Sequence, residues 1–230
     1  MAIGIIGAMD EEIELLKSKM KVREVHHAAD SVFIEGELHN HSVVLLKSGI
    51  GKVNAAIATT ILHERFSINR VINTGSAGGF AKDLEVGDVV ISSLVTHHDV
   101  DVTAFKYEYG QVPGLPAMYP ANKDLIELAM KAVKTTDAKA KRGIIATGDS
   151  FMQEESRVNF VRGKFPEMIA AEMEAAAIAQ VCYKYETPFV VIRALSDIAG
   201  KESSISFDQF LPKAANNAAN MILSMLDEIE

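Results

Sequence analysis

Short apolar runs alternate with amphipathic stretches along this chain, a pattern that predicts strands alternating with helices. Runs with the length of buried strands lie at residues 1–7, 70–73, 88–95, 142–147 and 188–195. A hairpin is expected over residues 31–38 and 42–47, with a polar turn at His39-Asn40. Helices are expected over residues 9–20, 51–66, 122–134, 174–185 and 207–229. The pattern therefore indicates the α/β class.

The predicted fold is a three-layer α/β/α arrangement in a single domain that covers residues 1–230. Strands that are apolar on both faces belong to a sheet covered on two sides, and their alternation with helices favours parallel pairing. We expect a mixed, mostly parallel central sheet flanked by helices. Residues 97–120 are polar, aromatic and contain Pro and Gly, so they are expected to form a long loop, and long loops are more often functional than idle.

The composition excludes several classes of protein. The 230 residues are 48% hydrophobic, which argues against disorder, and 23 Lys and Arg against 31 Asp and Glu give a net charge of −8. An acidic chain without a basic stripe is a poor ligand for nucleic acid, so no such partner is expected. The apolar runs are too short to span a membrane. The single cysteine, Cys182, fits a reducing compartment, and we expect a cytoplasmic protein.

Polar residues follow several of the predicted strands, at the sheet edge where ligands bind in open α/β folds. Asp10, Glu11 and Glu12 come after the first strand. Because the helix macrodipole favours carboxylates at an N-terminus, Asp10 and Glu11 have a structural explanation. Whether Glu12 serves the helix or points into the mouth of the sheet remains open at this stage.

A glycine-rich segment, residues 75–79, follows the strand at residues 70–73. Its glycines would let the backbone approach a ligand closely, but a plain tight turn is the simpler interpretation. The spacing fits neither a Walker loop nor a dinucleotide-binding fingerprint.

The strand at residues 188–195 carries the sharpest anomaly, because Arg193 lies inside a stretch that should be buried. A buried guanidinium without a partner is costly, so Arg193 requires a carboxylate nearby. The residues could form a structural ion pair between strand and helix, or the edge of a site with Asp197 as a positioned acid. We favour the second interpretation, because Asp197 lies where ligands bind in such sheets.

Other segments offer weaker signals. The carboxylates of Glu172 and Glu174 precede a helix of small residues; the macrodipole explains one of them, and the other could accept hydrogen bonds from two ribose hydroxyls. Loop aromatics such as Phe151 and Phe207 could stack on a flat base or simply pack. Adjacent ligands in residues 97–101 share no face of a helix or strand, so no metal site is expected.

Glu12, Glu174 and Asp197 together suit the hydrolysis of a glycosidic bond. In that reaction one carboxylate activates water and one acid protonates the leaving group, through an oxocarbenium-like transition state. The reaction needs neither a metal nor an organic cofactor, and none is expected. The residues alone do not identify the substrate.

Matched segments run in order along nearly the whole chain: GIIGAM at 4–9, both acids at 11–12, KSGIGKV at 47–53, INTGSAGG at 72–79, DVDVTAF at 99–105, YEYG at 107–110, GD at 148–149, EME at 172–174 and RALSD at 193–197. By these segments the chain closely resembles the bacterial 5′-methylthioadenosine/S-adenosylhomocysteine nucleosidases of the purine nucleoside phosphorylase superfamily. The resemblance implies hydrolysis of the N-glycosidic bond of an adenine nucleoside with a 5′-thio substituent.

The resemblance also implies roles for matching residues. Glu12 would activate the water that attacks C1′, and Asp197 would protonate N7 of adenine. Glu174 would hold the ribose 2′ and 3′ hydroxyls, with Met173 against the sugar. The polar shell around the water would be completed by Ser76 and Arg193.

The resemblance further implies a set of pocket walls and a partner subunit. The remaining substrate contacts would come from Met9, Ile50, Gly78, Phe151, Met152, Ser196 and Phe207. Met152 stands where isoleucine is also expected, which changes a side chain but not a backbone contact. The loop with Phe105, Tyr107 and Pro113 would reach the 5′-thio pocket of a neighbouring subunit, which implies a homodimer.

Two other functions have to be separated from this one. A phosphorylase on the same fold would need cationic groups for phosphate at the mouth of the site, where the sequence instead has Asp10, Glu11 and Glu12. A nucleoside sensor without catalysis would keep Glu174 and the aromatics but would not need both Glu12 and Asp197. We therefore favour a hydrolase that uses water as its nucleophile.

Overall fold

The computed structural model describes residues 1–134, 139–201 and 203–229. Its strands are Ala2–Gly7 (β1), Lys21–Ala28 (β2), Ser31–Leu38 (β3), His41–Lys47 (β4), Ile68–Asn73 (β5), Ser76–Gly79 (β6), Val89–His97 (β7), Tyr119–Pro120 (β8), Ala140–Thr147 (β9), Met168–Glu172 (β10) and Phe189–Ile198 (β11). Its helices are Asp10–Lys19 (α1), Lys52–Arg65 (α2), Lys123–Val133 (α3), Glu155–Lys164 (α4), Ala175–Lys184 (α5) and Ser203–Leu226 (α6).

The strands pair in the order β2-β3-β4-β1-β5-β11-β6-β10-β9-β7-β8. The pairings from β4 through β1, β5 and β11 to β6 are parallel, and so are those of β9 with β10 and β7. Strand β11 also pairs with β7, so β11, β6, β10, β9 and β7 close into a ring. The predicted mixed sheet is therefore confirmed, and half of it curls on itself.

Helices flank the sheet in two groups, as predicted. Helices α1 and α3 both pack against α6, whereas α2 packs against α5. Because helices cover the central strands, β1 and β10 are buried at every residue, and β11 is buried up to Asp197. Among the described residues, no helix combines the length and the apolar character that crossing a bilayer requires.

Several elements differ from the sequence prediction. Strand β2 was not predicted, because most of its side chains are exposed at the sheet edge and show no apolar alternation. Helix α4 was missed as well, since it buries only Val158 and Val161. The predicted tight turn at residues 75–79 is wrong in part, because residues 76–79 form β6 between β11 and β10. The predicted loop over residues 97–120 also contains the end of β7, a short 3-10 helix at Thr103–Phe105 and β8.

Candidate active site

A cavity of about 350 Å³ opens where β1, β6, β10 and β11 end. This volume lies in the range of small-molecule sites. The lining residues are Ala8, Met9, Glu12, Ile50, Ser76, Ala77, Gly78, Ser150, Phe151, Met152, Ala171, Glu172, Met173, Glu174, Ser196, Asp197, Phe207 and Asp208.

Glu12 is fixed by two elements at once. It is the third residue of α1, and its Oε2 accepts hydrogen bonds from the backbone amides of Ala8 (2.7 Å) and Met9 (3.3 Å). Its Oε1 accepts from the Ser76 amide (2.9 Å) and the Ser76 hydroxyl (3.1 Å). The side chain is buried yet lines the cavity, so both interpretations left open by the sequence hold: Glu12 caps its helix and faces the site.

Arg193 lies beneath the cavity, fully buried, among three carboxylates. Its Nη2 lies 2.5 Å from Oε2 of Glu172 and 3.4 Å from Oε2 of Glu174, and its Nη1 lies 4.0 Å from Oε1 of Glu12. Burial acts to lower the pKa of Arg193, but the three carboxylates outweigh it and raise that pKa. The guanidinium is thus a fixed cation that joins three acids from separate elements. We call Glu12, Glu172, Glu174 and Arg193 the pocket floor.

Glu172 lines the cavity, but sequence reasoning did not include it among the site residues. Its Oε2 accepts from the amides of Glu174 (3.0 Å) and Ala175 (2.8 Å) at the start of α5, besides pairing with Arg193. Its Oε1 accepts a short hydrogen bond from the Thr147 hydroxyl. The sequence did contain a signal for Glu172, because the buried Arg193 requires a carboxylate partner. In the structure the carboxylates beside Arg193 come from α1 and from residues 172–174.

Glu174 lies where its charge is disfavoured. Its Oε1 accepts from the Gly51 amide at 3.0 Å, which ties it to the start of α2. Burial and then the neighbouring charge of Glu172 raise the pKa of Glu174 to about 8, although Arg193 acts to lower it. A ligand that donates hydrogen bonds to this carboxylate would favour its ionised form.

Asp197 reaches the cavity through an irregularity in β11. Leu195 pairs with Ala77 and Asp197 with Gly78 on β6, so Ser196 is an extra residue between them. Oδ1 of Asp197 accepts from the Ser196 hydroxyl at 2.9 Å, and the side chain is buried. A Cβ at Gly78 would lie 3.1 Å from Oδ2 of Asp197, so this glycine makes room for the acid.

Gly75 shows why the segment before β6 needs a glycine. Its φ of +145° is in a region that side chains rarely adopt. A Cβ there would lie 2.2 Å from Nη1 of Arg193 and 2.5 Å from Oε1 of Glu12. The sequence allowed a close approach to a ligand but favoured a plain tight turn, whereas this glycine lets the backbone approach the pocket floor.

The opening of the cavity is apolar and partly exposed. Ile50 is 49% exposed and Phe151 is 42% exposed, while Phe207 lies edge-to-face with Phe151 at a centroid distance of 5.8 Å. We call Ile50, Phe151 and Phe207 the pocket rim. Met9 and Met173 are half-buried in the wall, and Met152 is buried.

The structure brings most of the predicted site residues together. Only four of them do not line the cavity. Arg193 lies behind its wall, and Phe105, Tyr107 and Pro113 belong to the segment between β7 and β8. Phe105 is 76% exposed and Pro113 is also exposed.

One group of possible metal ligands lies elsewhere. Among the described residues, Glu24, His26 and Glu35 have ligand atoms within 4.8 Å of one another on β2 and β3. Nη1 of Arg23 lies 3.9 Å from Oε1 of Glu35, so a cation already faces this group. At the end of β7 His97 contacts Gln180, and in the segment that follows Asp99 contacts Lys52.

Comparisons with known proteins identify the family of this chain. A sequence profile of the phosphorylase superfamily matches residues 2–227, which places the chain in that superfamily. A 5′-methylthioadenosine/S-adenosylhomocysteine nucleosidase from Oceanobacillus iheyensis is 63% identical over 229 residues, covering 100% of both chains. The structure of such a nucleosidase from Neisseria meningitidis, in complex with methylthio-immucillin-A, matches with a TM-score of 0.97, 49% identity and 99% coverage of both chains.

A second solved structure gives the same result. The nucleosidase of this name from Colwellia psychrerythraea 34H, in complex with adenine, has a TM-score of 0.96 and 50% identity, covering 98% of this chain and 94% of its own. The chain belongs to the family of 5′-methylthioadenosine/S-adenosylhomocysteine nucleosidases.

Proposed function

We propose that this protein hydrolyses the N-glycosidic bond of 5′-methylthioadenosine and S-adenosylhomocysteine, and also that of 5′-deoxyadenosine. The products are adenine and the ribose that keeps the 5′ substituent. The observation that carries the proposal is the meeting of Glu12, Glu174 and Asp197 on one cavity. The names and bound ligands of the relatives support the adenine nucleoside as substrate.

In the proposed reaction, Glu12 and Asp197 act on opposite sides of one bond. Glu12 accepts a proton from water while the water oxygen bonds to C1′, and the bond between C1′ and N9 of adenine breaks. The electron pair of that bond leaves with the purine, and Asp197 donates a proton to N7 so that neutral adenine departs. The hydrogen bonds from Ser76 and the amides of Ala8 and Met9 hold the Glu12 carboxylate in place for this step.

The remaining roles concern substrate binding. Glu174 accepts hydrogen bonds from the ribose hydroxyls, and Met173 packs against the sugar. Phe151 stacks on the purine, while Met9, Ile50 and Phe207 form the apolar wall. Gly78, Met152 and Ser196 complete the contacts. Arg193 supports these residues from below, because it contacts the carboxylates rather than the cavity.

Water is the proposed nucleophile because the cavity repels anions. The described residues that line it include Glu12, Glu172, Glu174, Asp197 and Asp208 but no Lys, Arg or His. Arg193 is already held by its own carboxylates, and phosphate binding requires free cationic donors.

Measurement of adenine release from methylthioadenosine, with and without inorganic phosphate, tests the proposal. We expect release at the same rate in both conditions and free 5-methylthioribose as the second product. Strict dependence on phosphate with formation of a ribose 1-phosphate would establish a phosphorylase instead.

The proposal includes a homodimer in which the loop with Phe105, Tyr107 and Pro113 completes the pocket of the neighbouring subunit. The exposed positions of Phe105 and Pro113, together with exposed Val53 and Ile57 on α2, support this arrangement. Light scattering is expected to give the mass of two chains, and the mass of one chain would contradict the dimer. The single buried cysteine supports a cytoplasmic location, and the continuous sheet supports one domain over residues 1–230.

A further inference from the structure

A partly buried ion pair near the cavity joins the start of α2 to the loop after β7. Nζ of Lys52 lies 2.6 Å from Oδ1 of Asp99, and the two side chains are only 20% and 27% exposed. Oδ2 of Asp99 accepts from the Asp149 amide at 3.0 Å, and Oδ1 of Asp149 accepts from the Lys52 amide at 2.8 Å. We call Lys52, Asp99 and Asp149 the clasp.

The clasp closes a cycle of contacts between segments that are far apart in the sequence. Lys52 begins α2, Asp99 follows β7, and Asp149 follows β9. Burial acts to raise the pKa of Asp99, but hydrogen bonds from Lys52 and from the Asp149 amide, with the charge of Lys52, hold that pKa below its ordinary value. Asp99 is therefore an anion that the structure has stabilised, unlike a freely solvated surface acid.

The residue next to the clasp contacts the pocket floor directly. The amide of Gly51, one residue before Lys52, donates to Oε1 of Glu174 at 3.0 Å. Gly51 has a φ of +95° and a Cβ there would lie 3.2 Å from Oδ1 of Asp149, so the turn is tightly placed between the clasp and Glu174. Ile50 of the pocket rim belongs to the same turn and is 49% exposed. Any movement of α2's first residue would displace both Gly51 and Ile50.

We propose that Lys52 and Asp99 are positioning residues, which set the orientation of the Glu174 carboxylate toward the ribose hydroxyls through the Gly51 amide. The inference rests on the proposed function, because it concerns the same cavity and the same nucleoside. Neither side chain lines the cavity, so neither is a catalytic residue. They contribute to ribose binding. This contribution should disappear when the substrate lacks the hydroxyl that donates a hydrogen bond to Glu174.

The test uses Lys52→Met, Asp99→Asn and the double variant in the full-length protein, with methylthioadenosine as substrate. We expect KM to rise roughly tenfold in each single variant while kcat changes by less than about threefold, because ribose binding is lost without loss of the reacting groups. Because the two residues act through one contact, the double variant should be no worse than the single variants. Lys52→Arg keeps the cation and should restore most of the affinity.

The 2′-deoxy and 3′-deoxy forms of the substrate separate positioning from general damage. With at least one of them, the ratio of KM between variant and parent should fall below about twofold, because the missing hydroxyl removes the contact that the clasp orients. Lys141→Met is the matched control: Lys141 pairs with Asp83 away from the cavity, with its side chain 36% exposed, and its loss should leave KM unchanged.

Two results would overturn the proposal. One is a KM of Lys52→Met that stays within about twofold of the parent value. A change that small is all that an ordinary surface ion pair would cause. The other is an equal rise of KM on the natural and both deoxy substrates, which would mean that the clasp does not act through Glu174. If Asp99→Asn does not fold, Lys52→Met and Lys52→Arg decide the matter. Failure of the proposed function is distinguishable, since the parent protein would then release no adenine.

Discussion

The pocket floor and the pocket rim belong to the same cavity but differ in charge, burial and the contacts that hold them. The four floor side chains are ionisable and at least nine-tenths buried, whereas two of the three rim side chains are more than 40% exposed. Each floor carboxylate accepts hydrogen bonds from backbone amides, while the rim is held by apolar contacts such as Phe151 against Phe207. The pocket floor is thus polar and fixed by hydrogen bonds, whereas the pocket rim is apolar and more exposed.

This difference separates two kinds of contribution. Charges in the floor are already paired and oriented before any ligand arrives, so they can act on a reacting bond without reorganisation. Rim side chains lose contact with water when a ligand binds, and they contribute to affinity through the apolar surface that the ligand buries. Substitutions of Glu12 or Glu172 in the floor should therefore affect turnover or stability, and those in the rim should affect affinity alone.

The largest effect, a loss of folding stability, is expected from Glu172→Gln, which removes the carboxylate closest to Arg193. Breaking a buried ion pair destabilises a protein by about 3 kcal/mol, because the remaining charge stays desolvated. Urea unfolding of parent and variant measures this loss. Glu37→Gln, at an exposed pair with Lys21, is the control and should leave the unfolding midpoint in place. An unchanged midpoint in Glu172→Gln would show that the remaining carboxylates suffice for Arg193.

Glu12→Gln and Asp197→Asn come next and address turnover. Each is expected to lower kcat by at least about 10²-fold, since each removes a proton-transferring group while keeping its shape. Release of adenine from methylthioadenosine is the measurement, and binding of adenine itself should be retained. If both variants turned over like the parent, neither Glu12 nor Asp197 would be catalytic and a nucleoside sensor would be the better description.

The raised pKa of Glu174 predicts a pH dependence of stability. Between about 4.5 and about 8 the carboxyl is protonated when folded but ionised when unfolded. The folded state therefore holds the extra proton, and the free energy of unfolding falls as pH rises through this window. Glu174→Gln has no such titration, so its stability relative to the parent should increase across the window and level off above it. A constant difference between the two proteins would contradict the shift.

The smallest effect is expected from the rim. Phe151→Leu keeps an apolar side chain but removes the ring that we propose to stack on the base, so KM should rise by about fivefold with kcat unchanged. The free energy of unfolding should change by no more than about 0.5 kcal/mol, because the residue is 42% exposed. A large loss of kcat in this variant would contradict the expectation that rim substitutions affect affinity alone.

The sequence by itself predicted much of the framework. Apolar runs such as residues 188–195 identified central strands because burial on both faces leaves little choice of residue type. Residues at strand ends, including Glu12 and Asp197, could be selected because parallel strands direct their carboxyl ends to one edge. The matched segments then identified the family, and the profile and the relatives confirmed it.

Only the tertiary structure decided which of these residues touch. The sequence showed that Arg193 needed a carboxylate, but nothing local indicated Glu172, which lies 21 residues away on β10, with β6 between β10 and β11. The clasp joins α2 to two loops that are 47 and 97 residues distant. Strand β6 is stable only because β10 and β11 pair with it on either side. Local propensity reflects the conformation that one residue favours. These contacts form between segments that are distant in the sequence, and only the closed sheet brings those segments within contact distance.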